Sequence, residues 1–100
     1  MNRIFRREKP CPFEAVVDGQ WLTGVFDRVI VERDGTGRPV RAEVFDFKTD
    51  EDVEGALGRH HRQLGFYRAA AARLLGLEAE SVACYLVMTK SRTCVEVPAT

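Results

Sequence analysis

The sequence predicts an α/β fold, a mixed β-sheet with one long helix packed across it. Three observations carry this. Alternating apolar and polar runs at Phe13–Val17, Trp21–Glu32 and Pro39–Lys48 are separated by the glycine turns Asp18-Gly19 and Asp34-Gly35-Thr36-Gly37. One stretch has helical spacing, with Leu64, Tyr67, Ala71, Leu74 and Leu75 recurring at three and four. Two short apolar runs follow it, Ser81–Met88 and Thr93–Val97. Three strands in an antiparallel meander, one helix and two further strands make a mixed sheet with the helix across it.

Taken in order, Ile4-Phe5 suits a short first strand, and Phe13–Val17 is a strand that Asp18-Gly19 turns into the next. Trp21–Glu32 is expected as one long strand, with Thr23, Val25, Asp27, Val29 and Val31 on one face. Asp27 is then a carboxylate within an apolar row. Trp21 is expected to pack at the strand start, and Arg28 to point to the face opposite Asp27. On the next strand Val40, Ala42, Val44, Asp46 and Lys48 alternate down one face, because residues two apart point the same way. Phe45 and Phe47 face the other way, into a core. Thr49 to Glu54 is acidic and suits a loop or a helix N-terminus. Gly55 and Gly58 put the confident start of the helix near Arg59, and Gly76 is a C-terminal stop, with Leu77 as its apolar contact.

The 100 residues make one domain with a modest core. An apolar fraction of 45% beside 30% charged residues fits a globular chain rather than a disordered one. No apolar run approaches membrane-spanning length, and the basic start (Arg3, Arg6, Arg7) lacks the apolar segment of a signal peptide, so a cytoplasmic location away from membranes is expected. Fifteen basic residues balance fifteen acidic ones, which excludes nucleic-acid binding by bulk charge but not by local clusters. Cys11, Cys84 and Cys94 form no metal-binding spacing, and Cys84 and Cys94 read as small core residues.

The chemistry concentrates in Val44-Phe45-Asp46-Phe47-Lys48-Thr49. Asp46 and Lys48 stand side by side, and Asp27 comes close if the meander puts it on the same face. Two neighbouring carboxylates repel unless a cation relieves them. With the backbone carbonyl of Phe47 they form an oxygen set suited to Mg²⁺, with Mn²⁺ as a substitute. Lys48 can orient a water or offset charge on a phosphate, so the set points to phosphodiester hydrolysis. An exposed strand end with an ion pair explains Asp46-x-Lys48 alone equally well. On the helix, Gln63 and Tyr67 are four apart and share a face; a solvent-facing pair is the simpler account of these two alone. Arg59, Arg62, Arg68 and Arg73, with Lys90 and Arg92 at a turn, are candidate phosphate contacts, each equally explained as a solvated side chain.

Gly24-Val25-Phe26-Asp27, Asp46-Phe47-Lys48-Thr49 and Gln63-Leu64-Gly65-Phe66-Tyr67 occur in that order. Together they closely resemble the RecB/AddA-type nuclease domain of the PD-(D/E)XK superfamily, over about residues 13–97. The resemblance implies a restriction-endonuclease-like fold, with Asp27 and Asp46 as Mg²⁺ ligands, Lys48 as the catalytic lysine, and Gln63 and Tyr67 as an accessory active-site pair. It implies a metal-dependent DNA exonuclease or endonuclease, working with a helicase domain or subunit in double-strand break repair and recombination. The alternative is a catalytically silent module of the same fold that binds DNA or a helicase partner. In that family a helix before the first strand carries a histidine or glutamate that completes the metal site. This chain lacks that helix, so it is expected to be a fragment or a pared-down form. His60 and His61 do not match the missing position and are expected near a DNA-facing surface.

Overall fold

The computed structural model describes residues 3–7, 10–50 and 52–99. The strands are β1 (Arg3–Arg7), β2 (Cys11–Val17), β3 (Gln20–Phe26), β4 (Arg28–Arg33), β5 (Pro39–Lys48), β6 (Val82–Met88) and β7 (Thr93–Val97). One helix, α1 (Val53–Leu75), connects β5 to β6, followed by a 3-10 turn at Ala79–Ser81. Five strands form a sheet in the order β1-β4-β5-β6-β7, while β2 and β3 pair separately. All the pairings are antiparallel except β5 with β6. That parallel pair needs a crossover, and α1 supplies it. The mixed α/β architecture read from the sequence, with one helix across the sheet, is thus present, but the expected three-strand meander is not, because β2 and β3 form their own sheet and β1 lies beside β4.

The β4–β5 turn is built by one side chain. Asp34 Oδ1 accepts hydrogen bonds from the Thr36 hydroxyl at 2.6 Å, the Thr36 N–H at 2.9 Å and the Arg38 N–H at 3.1 Å. These donors, the Thr36 hydroxyl first, hold the Asp34 carboxyl below its ordinary range. At the C-terminal end of the crossover helix, Gly76 ends α1 with φ at 67°, in the left-handed region a Cβ disfavours. The Leu77 N–H then donates to Ala72 O at 2.9 Å, and Leu77 packs on the core, closing the expected cap.

Helix α1 packs against both the sheet (β5, β6, β7) and the hairpin (β2, β3). Val44, Cys84, Leu86 and Met88 from the sheet are buried with Ala56, Leu64, Ala70 and Ala71 from α1. Alanines let the helix backbone lie close to the sheet. Leu64, Leu86 and Met88 are fully buried, each stabilising by about 1.5–3 kcal/mol. Arg68 is also inside. Its guanidinium donates to Val97 O at 2.7 Å, Val82 O at 3.0 Å and Pro98 O at 3.2 Å. It fastens α1 to the sheet and is not a phosphate contact. Among the described residues, no helix is long and apolar enough to cross a membrane.

Several details differ from the sequence reading. Trp21–Glu32 is two strands, because the chain bends at Asp27 and passes from hairpin to sheet. The inward face changes parity there: Leu22, Gly24 and Phe26 turn inward before the bend, and Val29 and Val31 after it. Thr23 and Val25 are therefore exposed, and so is Trp21, at 68%. Phe45 and Phe47 do not enter the core. Helix α1 covers the other face of β5, so Phe45 is half-buried against Tyr85 and Phe47 is exposed under Arg28. The helix begins at Val53, with Gly55 and Gly58 inside it. A Cβ on Gly55 would strike the Asp52 carboxylate and the Arg59 guanidinium, so this glycine fits an early turn. Cys84 is buried as expected, whereas Cys94 is exposed on β7.

Candidate active site

The bend at Asp27 makes the site. The β4–β5 ladder pairs Val29 with Val44 and ends with Arg28 opposite Phe45. Extended by one residue, that register sets Asp27 opposite Asp46, and opposed residues share a face. Because β3 has turned away, the Asp27 side chain takes over as acceptor: Oδ2 receives the Phe47 N–H at 2.8 Å. The acid is thus fixed by the backbone of the strand that carries its partner.

Asp46 is 5% exposed, on the face of β5 that α1 covers. Lys48 Nζ lies 3.2 Å from Asp46 Oδ2, an ion-pair distance without hydrogen-bond alignment. That oxygen is buried with no hydrogen-bond partner. Burial pushes the Asp46 carboxyl above its ordinary range, the nearby Asp27 carboxylate adds to this, and the Lys48 ammonium opposes it. Lys48 is itself held at the backbone, where its carbonyl accepts the Thr89 N–H at 2.9 Å and the Thr89 hydroxyl at 3.1 Å.

Gln63 and Tyr67 are brought to the same side by aromatic packing. Phe13 and Phe26 stack with centroids 4.2 Å apart, and Tyr67 meets both edge-on at 5.4 and 5.6 Å. A Cβ on Gly24 would lie 2.8 Å from the Phe13 ring and 3.1 Å from that of Tyr67. Only a glycine lets the two rings close on the strand there, which is the physical reason for a glycine three residues before Asp27. Gln63 Nε2 donates to Tyr67 Oη at 3.3 Å. Among the described residues, neither side chain hydrogen-bonds to Asp27, Asp46 or Lys48.

Sequence reading missed a second cluster. Asp50 Oδ2 accepts from Arg59 Nη2 at 2.9 Å and meets His60 Nε2 at 3.1 Å. The Arg59 contact, then His60, holds the Asp50 carboxyl below its ordinary range. The cluster ties the loop after Lys48 to the first half of α1, so Arg59 and His60 face the carboxylate of Asp50 at the surface. Spacing gave no sign of it, because nine and ten residues separate the partners. Arg28 was read as opposite Asp27, and its guanidinium carbon lies 5.3 Å from the Phe47 ring centroid, on the outer face of β5.

The oxygen groups at this end of the sheet are the Asp27 and Asp46 carboxylates, with the Phe47 carbonyl between Asp46 and Lys48 in the chain. Among the described residues, no group of three His, Cys, Asp or Glu side chains converges. The buried Asp46 Oδ2, ion-paired with Lys48 but without a hydrogen bond and beside a second carboxylate, fits a hard divalent cation, which would relieve both acids.

A family model described as the PD-(D/E)XK nuclease superfamily matches residues 2–98. No curated protein matches the chain. With the match covering almost its whole length, over strands that bring Asp27, Asp46 and Lys48 to one end of the sheet, the chain belongs to the PD-(D/E)XK nuclease superfamily.

Proposed function

We propose that the chain is a Mg²⁺-dependent DNA nuclease of the RecB/AddA type, acting in the cytoplasm beside a helicase domain or subunit in double-strand break repair and recombination. The reading rests on one observation: Lys48 Nζ stands 3.2 Å from a buried carboxylate oxygen that lacks a hydrogen-bond partner. The order of the three motifs supports the RecB/AddA assignment within the superfamily.

In this reading Asp27, Asp46 and the Phe47 carbonyl hold Mg²⁺ or Mn²⁺. Bound there, the cation supplies positive charge to the phosphate and acidifies water. Asp27 is pre-set by its bond from Phe47 N–H, so it needs little reorganisation to bind. Lys48, at 23% side-chain exposure, reaches from Asp46 toward solvent. Its ammonium can hydrogen-bond an attacking water and balance charge building on the phosphate. Gln63 and Tyr67 position the substrate from the helix.

A cleavage assay on single- and double-stranded DNA, with and without Mg²⁺, tests this. Lys48→Ala is expected to lower the rate about 10²–10³-fold, while calorimetric Mg²⁺ uptake stays near that of the parent. An unchanged rate removes Lys48 from the chemistry. One observation favours the silent-module alternative: no third His, Cys, Asp or Glu joins the two acids among the described residues. DNA binding without cleavage at any Mg²⁺ or Mn²⁺ concentration would establish that alternative.

A further inference from the structure

The loop that leaves Lys48 is fastened to α1 by ions. Asp50 is two residues beyond Lys48, so the two lie within about 7 Å along the chain. Its Oδ2 takes Arg59 Nη2 at 2.9 Å and His60 Nε2 at 3.1 Å. A second acid leans the same way. Asp52 immediately precedes α1, yet its side chain caps no helix N–H. Its carboxylate and the Arg59 guanidinium reach instead into the space above Gly55. A Cβ there would strike Asp52 Oδ2 and stand 2.8 Å from Arg59 Nη1. Gly55 leaves the room that both groups occupy.

Such a cluster contributes little to the melt, since the Arg59 side chain is 55% exposed and that of Asp50 28%. What it supplies is a fixed distance. Arg59 and Gln63 are four apart on α1 and share a side, about 6 Å along the axis. Gln63 Nε2 donates to Tyr67 Oη at 3.3 Å, and the Tyr67 ring is seated on Phe13 and Phe26. Short covalent and hydrogen-bonded steps therefore run from Lys48 through Asp50 and Arg59 to Gln63 and Tyr67. Arg59, a candidate phosphate contact by sequence, is turned to acids of its own chain.

We propose that Asp50 and Arg59, with His60 and Asp52 beside them, form a clamp that sets the Gln63–Tyr67 pair against Lys48. They are positioning residues: they act through Gln63 and Lys48 and touch neither metal nor substrate. The effect on rate rests on the nuclease reading. The mechanical link between the loop and Gln63 does not.

The test pairs NMR of the Gln63 side-chain amide with single-turnover DNA cleavage in Mg²⁺, for Asp50→Ala and Arg59→Gln. Both residues lie at the surface, so the melts should stay near that of the parent. Calorimetric Mg²⁺ uptake should also stay, because the Phe47 N–H and the β4–β5 ladder hold the acid pair. The Gln63 amide signals should move in both variants, and cleavage should fall about 10–10²-fold. Gly55→Ala, whose methyl displaces Asp52 and Arg59, should do the same, although alanine suits a helix better than glycine. It decides the matter if the other two misfold. In a Gln63→Ala background, Asp50→Ala should cost much less than in the parent, because the group it positions is gone. A merely structural defect would give the same loss in both backgrounds. Parent-level cleavage in Asp50→Ala and Arg59→Gln, or full additivity with Gln63→Ala, overturns the clamp and leaves the nuclease reading standing. A parent that does not cut refutes the nuclease reading. The clamp is then decided by NMR: Gln63 signals that move with Asp50→Ala uphold the link, and unmoved signals refute it.

Discussion

Arg68 and Asp46 are buried against the same sheet to nearly the same degree, at 6% and 5% exposure, near opposite ends of β6. Their surroundings differ. Each nitrogen of the Arg68 guanidinium donates to a carbonyl, Nε to Val82, Nη2 to Val97 and Nη1 to Pro98. Asp46 keeps one oxygen without a hydrogen-bond partner, beside a second carboxylate and a lysine. Burial of charge is therefore not by itself the mark of a site. An ion hydrogen-bonded through each of its nitrogens holds elements together, while one with an oxygen left without a hydrogen bond is strain that a ligand can relieve.

This contrast can be broken at either end. The largest expected effect is on catalysis: Asp46→Asn should cut DNA about 10²–10³-fold more slowly in single-turnover assays, with the fold intact. Next is Arg68→Met, which fills the space but takes the donor from the carbonyls of two buried residues, Val82 and Val97, and from that of exposed Pro98. At about 1–3 kcal/mol for each buried group, it should remove a large share of the roughly 5–15 kcal/mol that stabilises a domain. A lower urea midpoint would show it. Cleavage per folded molecule should not change, and a catalytic defect at full stability would place Arg68 in the wrong class.

Gly24→Ala comes third. The new methyl meets Phe13 and Tyr67, so it should cost about 1–3 kcal/mol and disturb Tyr67 before it disturbs Asp46. An unchanged melt would refute the close packing. The smallest effect is a gain. The Asp46 carboxyl has its proton affinity raised in the folded chain, so its ionisation costs stability. That cost grows as pH rises from the unfolded carboxylate range through the folded value, and is absent below both. In EDTA at neutral pH, Asp46→Asn should therefore melt higher than the parent. One kcal/mol is worth about 4–8 °C in a domain of this size. The difference should shrink as pH falls, and a lower melt at neutral pH would count against the unrelieved carboxylate.

How much of this was legible in sequence follows from the range of each force. The strands, the turn glycines and the Gly76 stop were readable, because period-two alternation and left-handed caps are local. The pairing of Asp27 with Asp46 was readable as a possibility, since a short turn fixes a hairpin. The bend at Asp27 was not. Alternation runs smoothly through Val25, Asp27 and Val29, and the change of inward face depends on a second sheet that sequence does not display. The same ignorance put Phe45 and Phe47 in the core: either face of β5 is apolar enough to be buried, and α1 decides which. Arg68 looked like its surface neighbours because its acceptors are backbone carbonyls 14, 29 and 30 residues away.

The lysine's backbone anchor has a consequence for the order of assembly. Lys48 O receives both donors of Thr89, a residue 41 positions later. Asp27, at the bend before β4, and Asp46, on β5, meet across a local hairpin, which closes quickly. The lysine's strand is pinned only after the whole crossover has been made and its parallel neighbour has docked, a slow event of high contact order. A chain still emerging from the ribosome therefore carries its acidic pair early and its firmly seated lysine late.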